Sequence, residues 1–303
     1  MPPHDFYLSL DIDPYFDAEH EPERIFEEGF TRPLVLKERD VLVTTRFNGD
    51  AEHPEFSIEV SDSVDEAEQK EINHQLSRIL GTDLDLKPLY ANAESDPVLA
   101  PLFREFYGFK RMARASFWED AINRIVQTQI SHKPTAKKMV YEVRKAFSAQ
   151  LESKQGSVAS WPRPERLAKG DPVRMKKHGL SLRKGEYLVG LAEEYLSGRI
   201  SNKQAESLAP DDFYQRMNAI RGIGPTTAQD LMLFRDRPDA SFPSKFEKGM
   251  ERGLRRWILF SYGLDPDTAT EEEFLESISA WKGNEALAIE YLFANYFIHE
   301  KKK

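Results

Sequence analysis

Between Ile220 and Asp230 the chain reads IRGIGPTTAQD, and this spacing suits the binding of an anion. Gly222 and Gly224 flank Ile223 in a turn so tight that it needs backbone angles glycine adopts cheaply. Pro225 follows, and proline fits the first turn of a helix, where its missing N–H costs nothing. A helix starting there presents unpaired N–H groups and the positive end of its dipole, a seat for one phosphate. Arg221 stands beside that seat and Thr226 lies within the first turn. Ile223 is expected to pin the turn to the core. Many helical turns contain Gly-x-Gly without binding anything, so the spacing alone does not choose between a phosphate site and a plain turn.

The elements that hold this turn are helical. DDFYQRMNAI precedes it and TTAQDLMLF follows it, giving a helical hairpin over residues 213–234. SFWEDAINRIVQTQIS, PTAKKMVYEVRKAF, RKGEYLVGLAEEYLSG, FEKGMERGLRRWILF, TEEEFLESISAW and NEALAIEYLFANYF share the helical spacing, so residues 99–303 are expected to form an all-α domain. Residues 1–98 read instead as a small antiparallel α+β domain. FYLSLDID alternates like a half-buried strand, PLVLKERDVLVTTRFNG like two strands around a turn at Lys37–Asp40, and FSIEVSD like another. SVDEAEQKEINHQLSRILG opens with a capping-box spacing, Ser63 and Glu66, and carries Ile72, Leu76 and Leu80 on one face. ANAESDPVLAPL, with Pro97, is the expected crossing between the two domains.

The net charge of −9 is divided unevenly. Residues 1–98 hold 24 acids and 8 bases, whereas residues 99–303 hold 27 acids and 34 bases. An acidic front and a basic back suit a chain whose back half meets a polyanion, although acids that merely solubilise the front would look the same. HKPTAKKMVYEVRK and RMKKHGLSLRK, the latter carrying Lys184, concentrate positive charge suited to a phosphate backbone or to a solvated face. The chain has no cysteine, which removes disulfides, thiolate metal sites and a cysteine nucleophile, and its seven histidines show no metal-ligand spacing. No apolar run approaches the ~20 residues of a membrane span, and MPPHDFYLSLDID lacks a basic stretch followed by an apolar one. These features lead us to expect a soluble monomer, cytoplasmic (nucleoid-associated) or nuclear, without membrane contact.

Several ordered segments resemble the helix-hairpin-helix DNA glycosylases, and the AlkA-type 3-methyladenine glycosylases in particular. IRGIGPTTAQDLML is similar to that family's hairpin, FWEDAINRIVQTQIS to its first helix and glutamine turn, HGLSLRKGEYLVGLAEEYLSGRI to its GLS segment, and RPDASFP to the link after the hairpin. The acidic front half resembles the small antiparallel domain preceding the glycosylase domain. The resemblance implies base excision from double-stranded DNA: a damaged nucleotide is flipped into a pocket and its N-glycosidic bond is hydrolysed, without a cofactor or metal. It places Gln129 where relatives fill the gap left by the flipped base; an ordinary polar turn residue would look the same. Trp118 and Trp281, with Tyr291 and Phe293, are aromatic candidates for the pocket, although helical spacing makes core positions of them equally.

The resemblance also implies a catalytic aspartate after the RPDASFP link, and that position holds Lys245, with Phe246 beside it. Three acids stand near. Glu247 has capping-box spacing with Ser244, Asp230 lies on the second hairpin helix, and Asp239 suits a turn beside Pro238. Lys245 itself offers an amine able to form a Schiff base with an abasic sugar, or a cation for a phosphate. Bifunctional relatives carry their lysine on the hairpin, where this chain has Thr226. Four readings follow: a glycosylase acting on alkylated or otherwise damaged bases with a relocated acid, a scaffold that binds damaged DNA without excising, a lyase at abasic sites, and a helical protein using the hairpin for protein contacts.

Overall fold

The computed structural model describes residues 1–12, 23–130, 132–154, 156–240, 242 and 254–300. A four-stranded antiparallel sheet forms the front layer, in the order β1 (Arg24–Phe26), β2 (Gly29–Val35), β3 (Asp40–Phe47) and β4 (Phe56–Val60). The polar turn expected at Lys37–Asp40 joins β2 to β3, closed by the Leu36 N–H donating to the Arg39 carbonyl at 2.8 Å. Helix α2 (Glu66–Leu80) covers the sheet and buries Ile72, Leu76 and Leu80. Its capping box is built two residues later than expected, from Asp65 and Glu68 rather than Ser63 and Glu66.

FYLSLDID is not a strand. It forms α1 (Phe6–Ile12), because the Asp5 carboxylate accepts the Leu8 N–H at 2.9 Å and starts a helix. Phe6, Ser9 and Ile12 are the buried positions, a spacing of three that a helix face satisfies and a strand face does not.

The remainder is helical apart from one hairpin, β5 (Gln150–Ser153) with β6 (Gly156–Ala159). In chain order the helices are α3 (Lys87–Asn92), α4 (Leu99–Glu105), α5 (Phe117–Gln127), α6 (Lys133–Phe147), α7 (Pro164–Leu167), α8 (Pro172–Met175) and α9 (Leu182–Leu196). They continue with α10 (Asn202–Ser207), α11 (Pro210–Asn218), α12 (Pro225–Met232), α13 (Leu254–Ser261), α14 (Glu271–Ser277) and α15 (Glu285–Asn295). A π-helical turn, Tyr296–Glu300, follows α15.

Packing divides this helical part into two cores. One gathers α5, α6, α9, α11 and α12 around Phe117, Ile122, Leu188, Phe213 and Leu231. The other gathers α3 and α4 with α13–α15 around Leu89, Phe103, Phe274, Trp281 and Tyr291. This second core draws on Leu86, Leu89 and Ala93, ahead of the expected 98/99 boundary, as well as on Leu99, Leu102 and Phe103 after it. Pro97 marks only a bend between α3 and α4, where Asp96 accepts the N–H groups of Val98 and Leu99 at 2.9 and 2.8 Å. Front layer and helices are joined by a buried ion pair: Arg78 of α2 donates to Asp120 of α5 at 3.0 Å and also reaches the carbonyls of Arg114 and Phe234.

Candidate nucleic-acid interface and adjoining cavity

The hairpin of α11 and α12 is held from below and open above. Ile220 and Ile223 are buried, so the turn is anchored as its sequence suggests. Gly222 has φ 97°, and a Cβ there would lie 2.2 Å from the Tyr187 ring of α9. Gly224 is the N-cap of α12, and a Cβ there would meet nothing within 4 Å. Glycine at the N-cap supplies no side chain to the first-turn N–H groups, and Pro225 occupies the first position. The α12 N-terminus thus faces open surface as an anion seat. Arg221 is exposed beside it, its guanidinium donating to Glu186 at 2.8 Å.

The facing wall is the end of α5. There Gln129 has φ 63°, the sole positive φ of a non-glycine among the described residues. The left-handed backbone costs a β-carbon residue about 1–2 kcal/mol, which the surrounding structure must offset. Lys184 of α9 donates through Nζ to the Val126 carbonyl at 2.7 Å, binding the carbonyl end of α5. Its partial burial lowers its pKa below the usual lysine value. Together the hairpin, Gln129, Lys184 and Tyr187 line a groove of about 1170 Å³.

Behind the groove a cavity of about 350 Å³ lies at the seam between the two helical cores. Its walls carry Phe234, Trp257, Phe293 and Tyr296, and two arginine–carboxylate pairs. Arg111 Nε stands 2.6 Å from Glu290 Oε1 of α15, with its guanidinium 4.4 Å from the centre of the Phe234 ring. Arg124 of α5 pairs with Asp230 of α12. Arg124 lines the groove as well as the cavity, so the two spaces meet at that residue. Flat aromatic walls suit a planar heterocycle, and buried charge pairs supply donors and acceptors for its edge.

Asp230 is therefore no solvated helix position but part of the cavity wall. Phe293 also lies in that wall. Trp118, Trp281 and Tyr291, the other aromatic candidates, do not line it; all three are core residues, and both indole N–H groups are satisfied internally. Trp118 Nε1 donates to the Pro162 carbonyl at 2.6 Å, and the fully buried Trp281 donates to the Tyr262 hydroxyl at 2.9 Å. Asp239 pairs with Arg237 at 2.7 Å, in keeping with a turn role. Lys245 and Glu247 lie outside the described residues. Arg111, Arg124, Trp257 and Glu290 escaped the sequence reading because each belongs to a different helix or connection, with no spacing to link them. Among the described residues no group of three or more His, Asp or Glu could hold a metal ion, and no helix is long and apolar enough to cross a membrane.

No family model matches the chain. A DNA-3-methyladenine glycosylase of Bacillus subtilis is 27% identical over 232 residues, covering 76% of this chain and 74% of that protein. The structure of a 3-methyladenine DNA-glycosylase from Archaeoglobus fulgidus superposes with a TM-score of 0.78 at 20% identity, covering 99% and 97% of the two chains. An 8-oxoguanine glycosylase/lyase of Clostridium acetobutylicum superposes with a TM-score of 0.68 at 15% identity, covering 97% and 93%. Such identities speak for the fold alone, and that fold serves enzymes named for different lesions. The chain is thus similar in sequence to a DNA-3-methyladenine glycosylase over three quarters of its length, and its front sheet and helices have the fold of the 3-methyladenine and 8-oxoguanine glycosylases.

Proposed function

We propose that the protein is a DNA N-glycosylase that rotates an alkylated or otherwise damaged base out of a duplex and into the aromatic cavity. The observation that carries this reading is the continuity of groove and cavity at Arg124. A backbone whose phosphate rests on Gly222–Thr226, with Arg221 alongside, lies beside a pocket sized for a planar ring. Gln129, which lines the groove in a left-handed conformation, is the residue this reading assigns to the gap in the stack. Flipping costs a few kcal/mol of unstacking, least for a weakened pair, which itself favours damaged sites. Hydrolysis of the N-glycosidic bond then requires water and a carboxylate to stabilise the sugar cation, and no cofactor. The protein acts as a monomer on double-stranded DNA.

Lys245 favours a second reading, a protein that binds damaged DNA without excising, since a cation opposes the positive charge that excision creates. Single-turnover release of bases from methylated duplex DNA separates the two. Release supports the glycosylase. No release, together with duplex binding that weakens steeply with salt, supports the binding protein. A borohydride-trapped adduct lost in Lys245→Ala would instead reveal lyase chemistry. Salt-insensitive or absent binding would point to protein contacts.

A further inference from the structure

We infer that Asp230 supplies the carboxylate facing the sugar of the flipped nucleotide, in place of the acid missing at position 245. The inference rests on the reading of the cavity as a base pocket. Two acids line the cavity among the described residues, Asp230 and Glu290. Asp230 lies one helical turn after Thr227, a groove residue, and its partner Arg124 borders both spaces. Glu290 and its partner Arg111 border the cavity alone, on the side of Ile289 and Phe293. A flipped nucleotide stays tethered by its two phosphates, so its sugar remains at the mouth while its base goes deeper. The acid at the mouth meets the sugar; the acid within meets the base.

The Asp230 side chain is 16% exposed, enough to touch a ligand while largely out of water. Its Oδ2 pairs with Arg124, which orients the carboxylate. In the reaction the C1′–N bond breaks and its electron pair leaves with the base. The positive charge spreads over C1′ and O4′ and is stabilised by Asp230. The oxygen of a water molecule then bonds to C1′, and its proton passes through Asp230 to the released base or, where the base leaves neutral, to solvent.

The test compares two duplexes that contain no scissile bond. One carries a tetrahydrofuran abasic site, which is neutral; the other carries a pyrrolidine in its place, which is protonated and imitates the sugar cation. Wild-type protein is expected to bind the pyrrolidine duplex at least about tenfold more tightly than the tetrahydrofuran duplex. Asp230→Asn should abolish that ratio while leaving tetrahydrofuran affinity within about twofold, and Asp230→Glu should restore part of it. Loss of packing alone would weaken both duplexes together. A ratio that survives Asp230→Asn, or one abolished by Glu247→Gln instead, overturns the assignment. Equal binding of both abasic duplexes, still tighter than intact duplex, overturns Asp230 but leaves the damaged-DNA reading standing. Abasic binding no tighter than intact binding overturns both.

Discussion

Gly222 and Tyr187 are pressed together so closely that a β-carbon on the glycine would stand 2.2 Å from Cγ of the ring. The contact fixes the hairpin turn against α9, and the φ of 97° adds an independent demand for glycine at the same residue. Gly222→Ala should therefore destabilise the fold by about 2–4 kcal/mol, from unfavourable backbone and overpacking together. Tyr187→Ala in that background should recover the steric part and leave the backbone part. Urea unfolding of the four-membered cycle measures both, and complete recovery would show that φ costs nothing here.

At Gln129 stability and recognition should move in opposite directions. Gln129→Gly removes the cost of a left-handed β-carbon residue and should stabilise the protein by up to about 1 kcal/mol after the added chain entropy of glycine. The same change removes the side chain proposed to fill the DNA gap. Affinity for a duplex with an abasic site should fall while affinity for intact duplex holds. A joint fall in melting temperature and in both affinities would mean that Gln129 serves packing.

The hairpin was legible in sequence because its chemistry is local: two glycines, a buried isoleucine and a proline settle the turn within a few residues. The β2–β3 pair was legible for the same reason, its turn residues sitting between two apolar runs. The cavity was not. Arg111, Arg124, Phe234, Trp257 and Glu290 come together only when two helical cores meet, and no periodicity records a meeting of that kind. Trp118 and Trp281 drew attention by residue type, but large aromatics on helices usually build cores, as they do here. The segment FYLSLDID misled because alternation over eight residues also contains a spacing of three, and the Asp5 cap decided between the two.

Asp120 is expected to matter far more to stability than acids of equal charge at the surface. It accepts from Arg78 at 3.0 Å and from Arg114 at 3.2 Å, all three side chains nearly inaccessible to water. Asp120→Ala would remove the carboxylate that two buried guanidinium groups share and should cost about 3–5 kcal/mol. Glu194→Ala removes an acid paired with the largely exposed Arg199 and should cost less than about 1 kcal/mol. Equal effects of the two substitutions on the urea midpoint would contradict the role given to burial.

Glu119, the neighbour of Asp120, should make stability depend on pH. Burial, and then the Asp120 charge, push its carboxyl from 4.5 up to about 8. In the folded protein it remains protonated at neutral pH, where the unfolded chain has lost that proton. Its contribution is therefore complete below pH 4.5 and is lost as pH rises through about 8. Glu119→Gln keeps the shape without the titration, so between pH 5 and pH 8.5 the variant should gain roughly 2–4 kcal/mol on wild type, at about 1.4 kcal/mol per unit of displacement. Urea unfolding of both proteins at the two pH values gives the difference directly. Parallel losses would place the titration elsewhere in the charged cluster that joins α2 to α5.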